Sequence, residues 1–287
     1  MIFREEAMQA YLDRSEHSRG EIKAANEGPR TWAHYCTRDN KSTKSTSLGS
    51  VIHTYCLDPQ TFPEMYVMEP ALPEGYKNPR STKAYKESVA ALQKIHPHAE
   101  IIAADQLAKA KACFKALKAH PAANRLLFQD RMDAEVTVVF KYDGLDFKIR
   151  PDVLCNGKGG VVVVDLKTAA DARPHKFMRS VADYGYDYAA WLYTQGVSEE
   201  LGCSVSFVWV VVDTADTQHV RCYRASNDML TSSRHKCLDG IQALKGFLKD
   251  GIEEVSQRHD HTDIENLNPP AWESEQSDLP GKINFGT

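Results

Sequence analysis

Two carboxylates and an ammonium stand near one another in the middle of this chain. Arg150-Pro151-Asp152 comes first, and Asp165-Leu166-Lys167 follows, its aspartate thirteen positions after Asp152. Side chains at i and i+2 of a strand share a face, so Lys167 lies beside Asp165. Asp152 begins one strand and Asp165 ends its neighbour, so a hairpin between them brings both carboxylates to one edge of a sheet. Converging carboxylate oxygens suit a hard divalent cation such as Mg²⁺ or Mn²⁺, which polarises a phosphoryl oxygen and lowers the pKa of a bound water. The lysine orients or deprotonates that water and offsets the charge that develops. Phosphodiester hydrolysis requires this combination. A lone Asp-x-Lys triplet more often forms a solvated salt bridge, and it is the setting of this one that favours chemistry.

That setting is a run of buried elements. Val161-Val162-Val163-Val164 leads into Asp165, and four successive valines mark a strand covered on both faces. Upstream, Glu135 to Phe140 and Asp146 to Arg150 read as strands joined at Asp143-Gly144, a hairpin dipeptide. Asp152 to Cys155 continues this as a three-strand meander. Downstream the pattern predicts one helix from about Val181 to Glu200, a buried strand from Val205 to Val212, and a helix from about Asp228 to Lys249. Leu107, Ala110, Phe114 and Leu117 share one face of a helix over Ala104 to His120, with Lys111, Lys115 and Lys118 on the adjoining stripe. Pro121 stops that helix or begins the next. Residues 1–50 suggest short helices and loops, Leu48 to Leu57 is amphipathic, and the prolines at 63, 70, 73 and 79 suggest an extended surface connection. The fold class is α/β: a central mixed β-sheet flanked by helices. The domain spans 1–250, with a helical part to about 130 and a core from about 131, and an acidic, weakly structured tail covers 251–287.

The chain has 287 residues, 42% hydrophobic and 26% charged, which excludes a disordered or fibrous protein. No apolar run is long enough to span a bilayer. Met1-Ile2-Phe3-Arg4-Glu5-Glu6 has acids where a secretion signal carries bases, so a cytoplasmic location is expected. The net charge of −4 argues against a polyanionic partner only as a total. Residues 76–131 hold eleven basic and four acidic side chains, while 251–287 hold two and eight. The basic helix with Lys111, Lys115 and Lys118 is therefore the candidate for tracking phosphates, and the tail stays away from them or competes for their groove. Seven dispersed cysteines without a C-x-x-C pair read as reduced, packed thiols.

Pro151-Asp152 with Asp165-Leu166-Lys167 is similar to the PD-(D/E)xK nuclease motif. The chain around it resembles the nuclease domain of RecE-type exodeoxyribonuclease VIII and its phage relatives. Leu48-Gly49-Ser50-Val51-Ile52-His53 followed by Leu57-Asp58-Pro59, then Ala119-His120-Pro121-Ala122, Glu135, Lys148-Ile149-Arg150-Pro151-Asp152, and Asp165 to Ala172 with Phe177 beyond, match in order over about residues 10 to 215. The resemblance implies His53, Asp152 and Asp165 as metal ligands, Lys167 as the catalytic lysine, and Glu135 as an acid supporting the metal or the water. It implies Mg²⁺, with Mn²⁺ as a substitute. It also implies digestion of linear double-stranded DNA from its ends, 5′ to 3′, leaving 3′ overhangs for recombination. A homo-oligomeric ring, tetrameric by resemblance, and a RecT-type single-strand annealing partner complete the expectation. No iron–sulfur cluster is expected, because Cys203, Cys222 and Cys237 lie 19 and 15 residues apart.

One departure stands out. The family's Tyr-x-x-Gln reads here as Tyr186-Asp187-Tyr188-Ala189, so the glutamine's contact is missing, or Tyr186 or Tyr188 supplies it. Those two, with Tyr184, Trp191 and Tyr193, are also candidates for stacking on bases. Two other readings remain open on this sequence: a structure-specific or single-strand nuclease on the same core, and a non-catalytic DNA-end-binding recombination scaffold.

Overall fold

The computed structural model describes residues 1–4, 6–38, 48–129, 131–157 and 159–260. The chain opens with β1 (Ile2–Phe3), α1 (Met8–Asp13), α2 (Arg19–Glu27), α3 (Pro29–Thr37), α4 (Leu48–Leu57) and α5 (Phe62–Met65). There follow β2 (Tyr66–Met68), α6 (Lys83–Ile95), β3 (Glu100–Ile102), α7 (Ala104–Ala119) and α8 (Pro121–Asn124). Strands β4 (Arg131–Ala134), β5 (Thr137–Tyr142), β6 (Leu145–Ile149), β7 (Val153–Gly157) and β8 (Gly160–Ala169) form the middle. Last come α9 (Pro174–Tyr184), α10 (Tyr186–Leu201), β9 (Val205–Asp213), β10 (Val220–Arg224), α11 (Asn227–Asp250) and α12 (Ile252–Ser256).

The valine run lies in β8, at the centre of a five-stranded sheet of order β10-β9-β8-β7-β4. β8 is parallel to β9, and the other pairs are antiparallel. Val161 and Val163 join Phe207, Trp209 and Val211 against α9, α10 and α11. Val162, Val164 and Leu166 join Val208 and Val210 against α4 and α7. At roughly 1.5–3 kcal/mol for each fully buried aliphatic side chain, this alternation holds the sheet between its two helical layers. The mixed α/β class stands as expected, and the N-terminal helices form one layer of the core itself. Among the described residues no helix is long and apolar enough to cross a membrane.

Several elements differ from the sequence pattern. The expected meander is divided: β5 and β6 join β1 in a separate antiparallel sheet, while β4 and β7 stay in the central one. Pro151 has no N–H to continue a ladder, so the chain breaks between β6 and β7. Asp165 lies in the middle of β8 rather than at its end, and Glu135 lies between β4 and β5 rather than opening a strand. The helix expected over 181–200 is two helices, because Gly185 takes a left-handed φ of 63° that caps α9. Residues 60–80, expected to be extended, contain α5 and β2, which pairs with β3.

The acidic tail also begins with order. Val255 of α12 is fully buried with Trp32 of α3, and Asp260 accepts from the Arg30 N–H (2.6 Å) and the Thr31 hydroxyl (3.2 Å) at the start of α3. The rest of the expected tail, 261–287, lies outside the described residues.

Helix α10 packs against β9 and against the β5–β6 hairpin, which it meets at Gly196. A Cβ there would lie 2.5 Å from the Phe140 ring and 2.8 Å from Ile149. Gly196→Ala should therefore lower stability by about 1–3 kcal/mol through overpacking, seen as a fall in Tm. An unchanged Tm would contradict this contact.

Candidate active site

The chain crosses between the two sheets twice, at residues 135–136 and 150–152, and the crossings lie side by side. The Glu135 N–H donates to the Asp152 carbonyl at 3.0 Å. Glu135 has φ 53°, a left-handed conformation uncommon outside glycine. Its carboxylate is held by Arg150, whose Nε donates to Oε2 at 3.0 Å. The other guanidinium nitrogens donate to the Thr137 hydroxyl (3.1 Å) and the Glu6 carbonyl (2.9 Å).

Helix α4 packs on β8 and brings His53 to this point. Its Nε2 lies 3.1 Å from Asp152 Oδ2 and its Nδ1 lies 3.6 Å from Glu135 Oε1. His53, Glu135 and Asp152 each offer a ligand atom within 4.8 Å of the others. The Leu166 N–H donates to Asp152 Oδ2 at 2.7 Å, which ties this group to β8 between Asp165 and Lys167. Lys167 Nζ lies 2.5 Å from Asp165 Oδ2.

Crowded, buried charges shift one another. Burial raises the Asp165 carboxyl above its ordinary range, with Lys167 opposing and Asp152 adding to the rise. Burial and Asp152 likewise raise Glu135, against His53 and Arg150. For Asp152, burial opposes the charge, but His53, Lys167 and the Leu166 N–H hold the carboxyl below its usual range. Burial would lower His53, but Asp152 and Glu135 outweigh it and push the imidazole up to about 9. Burial would lower Lys167 as well, and Asp165 and Asp152 raise it. Lys167 is therefore an ammonium at neutral pH. Of its two expected roles, orienting water and offsetting charge fits, and accepting a proton does not.

These side chains fit a divalent cation. The donors are one imidazole and carboxylate oxygens, and His53, Glu135 and Asp152 offer ligand atoms within 4.8 Å of one another. His53, Glu135 and Asp152 would hold it, while Asp165, expected as a ligand, lies outside that group of three and is paired with Lys167. Such an ion supplies Lewis-acid polarisation and an acidified water. The protein's part is to position the ligands and to place the Lys167 ammonium beside them.

The cluster opens into a cleft of about 500 Å³ lined by Met8, Arg19, Ser50, His53, Lys167 and Tyr186. The Tyr186 ring lies 5.1 Å from Lys167 Nζ, so it takes the place beside the lysine. Tyr188 does not: it is buried, and its hydroxyl accepts from Asn26 Nδ2 at 2.7 Å, which leaves no face for a base. Ala189 is buried as well. Lys111, Lys115 and Lys118 are exposed on α7, which packs against α4, and Lys118 Nζ sits 3.8 Å over the Phe128 ring. Two contributors escaped the sequence reading. Arg150 adjoins Asp152, and its place in Arg-Pro-Asp was a usable signal. Arg19 gave none, being a lone arginine at the start of α2, yet it reaches the cleft without a hydrogen bond or ion pair among the described residues.

Two outcomes follow from this geometry. Arg150→Ala strands the Glu135 carboxylate and should cost on the order of 3 kcal/mol, measured by urea unfolding. A metal must displace the His53 proton, so Mn²⁺ affinity should rise with pH, by about tenfold per unit, until it levels near about 9. Calorimetry in buffers of different ionisation enthalpy would detect the released proton, and pH-independent binding would exclude His53 as a ligand.

Comparison with known proteins agrees with this architecture. A family model described as a PDDEXK-like domain of unknown function, DUF3799, matches residues 18–258. A crystal structure of a protein from Eubacterium rectale, described as a candidate exonuclease, superposes with a TM-score of 0.58 at 12% identity, covering 96% of this chain and 100% of that one. At that identity the likeness concerns the fold. A second solved structure, of SSO0001, covers 45% of this chain and 61% of its own at 16% identity, with a TM-score of 0.27 that carries no argument. No curated protein matches the sequence. With the model spanning most of its length, the chain belongs to the PDDEXK-like DUF3799 family.

Proposed function

We propose that this protein is a divalent-metal-dependent exodeoxyribonuclease that digests linear double-stranded DNA from its ends, with Mg²⁺ as the metal and Mn²⁺ as a substitute. The observation that carries this reading is the bond from the Leu166 N–H to Asp152. It joins the His53, Glu135 and Asp152 side chains to the Asp165–Lys167 pair, which supports reading the five residues as one site. The ammonium stabilises charge on the phosphate in the transition state. Arg19, in the same cleft and without an ion pair among the described residues, adds a second cation for a phosphate oxygen, and Tyr186 offers a ring in its lining. The basic face with Lys111, Lys115 and Lys118 serves the DNA backbone farther out.

The RecE-type resemblance supplies the finer terms of the proposal. These are 5′ to 3′ polarity, 3′ overhangs for recombination, action in the cytoplasm, a tetrameric ring and a RecT-type annealing partner.

Lys167→Ala and Asp165→Ala should each lower Mg²⁺-dependent digestion of end-labelled linear duplex by roughly 10³-fold or more with the circular dichroism spectrum unchanged. Closed circular duplex should be spared. Full activity in either variant would refute the site. Cleavage of the closed circle would instead indicate an endonuclease on the same core, and digestion confined to single strands a single-strand enzyme.

A further inference from the structure

Two tyrosines at the break between α9 and α10 extend the cleft beyond Lys167. Tyr186 lines the cleft, with its ring 5.1 Å from Lys167 Nζ. Tyr184 stands next to it, with the ring centroids 5.5 Å apart and the planes tilted by 30°. On a continuous helix, side chains two residues apart point about 160° away from each other around the axis. These two meet because Gly185, with its left-handed φ of 63°, ends α9 and starts the chain afresh in α10. A Cβ at this position would lie 2.7 Å from Lys23 Cδ and 3.2 Å from the Tyr188 ring, so the turn depends on glycine.

Tyr186 is backed by the core. Its ring lies 6.3 Å from that of buried Phe177, which stacks on Tyr223 at 5.5 Å with the planes 12° apart. Tyr184 is 63% exposed, and Tyr186 is its one ring neighbour among the described residues. A single exposed aromatic side chain is ordinary on a protein surface. This one is joined through a second ring to a lysine of the cluster, and it continues the cleft outward as an aromatic surface. Cations follow the same line. Arg19 in the cleft and Lys23, whose stem meets Gly185, are four residues apart on α2 and so share a face. Lys23 is paired with Glu27, whereas Arg19 has no ion pair among the described residues.

We propose that Tyr184 and Tyr186 form a stacking platform for unpaired bases of the DNA strand in the cleft, with Tyr186 nearest the phosphate at Lys167, Tyr184 one step farther out, and Arg19 facing the backbone. Rings for bases beside cations for phosphates are what hold a single strand without reading its sequence. A base inside a duplex has both faces stacked, so only an unpaired base offers a face to Tyr184. The phosphate at Lys167 rests on the nuclease reading, and the platform is measurable by binding, without catalysis.

The test is fluorescence anisotropy of the full chain in EDTA with a labelled oligodeoxyadenylate of about six nucleotides, and with the same sugar-phosphate chain carrying abasic sites. The strand with bases should bind roughly tenfold or more tightly than the abasic one. Tyr184→Ala should lower affinity for the strand with bases by roughly tenfold and leave the abasic strand unaffected, while Tyr184→Phe and Tyr184→Trp keep the affinity, since the ring is what stacks. The Tm of Tyr184→Ala should be unchanged. A lowered Tm with equal losses on both strands would show that the ring serves the fold and would overturn the proposal. Equal affinities for the two strands, undiminished binding by Tyr184→Ala, or a loss in Tyr184→Phe as large as in Tyr184→Ala would each overturn it too. Base-dependent binding through Tyr184 in a chain that cleaves no DNA would refute the nuclease reading alone, and cleavage by a chain without base-dependent binding would refute the platform alone.

Discussion

Arg150 reaches from one sheet crossing to the other and holds them together. Its guanidinium donates to the Glu135 carboxylate, to Thr137 in β5 and to the Glu6 carbonyl, while the Glu135 N–H binds the Asp152 carbonyl on the return crossing. The chain passes twice between the sheets within a few ångströms, and both passages carry a carboxylate of the site. Glu135 has a left-handed backbone that costs a side-chain-bearing residue about 1–3 kcal/mol. Charge-assisted bonds to Arg150 offset that cost. If the β5–β6 hairpin stayed in the central sheet, Glu135 would face along a ladder and His53 would have one carboxylate instead of two.

The N-terminal arm depends on the same hairpin. Lys148, two residues before Arg150, is buried and donates to the carbonyls of Tyr11, Leu12 and Arg14 at the end of α1. An ammonium there satisfies orphan carbonyls and complements the helix dipole. Lys148 and Arg150 together fix α1 against the core, and Met8 of α1 becomes a wall of the cleft. One strand therefore positions an acid, a helix and the edge of the substrate opening.

The charges of the cluster explain its readiness for a cation. Three carboxyls, one imidazole and one ammonium crowd together at the cleft, and the imidazole is held protonated between Asp152 and Glu135. Protonated His53 and Lys167 balance part of the negative charge, yet Asp165 and Glu135 remain above their usual range. A divalent ion exchanged for the His53 proton supplies the charge this group lacks. The site is polarised in advance, and Lys167 keeps its proton because the carboxylates beside it favour the ammonium.

The sequence by itself determined what depends on neighbours along the chain. Period-two alternation put Asp165 and Lys167 on one face, the valine run announced a strand covered on both sides, and Asp143-Gly144 marked a hairpin. The family motif added His53 and Glu135. Tertiary structure alone decided that the meander divides between two sheets, that Tyr188 faces the core while Tyr186 faces Lys167, that Arg19 enters the cleft, and that the tail begins with a helix packed on α3. Each of these depends on which distant surfaces pack together, and alternation or helical period is the same whichever sheet a hairpin joins and whichever way a tyrosine's face is turned. Local pattern wrote the candidate residues into the sequence, and long-range packing chose the company they keep.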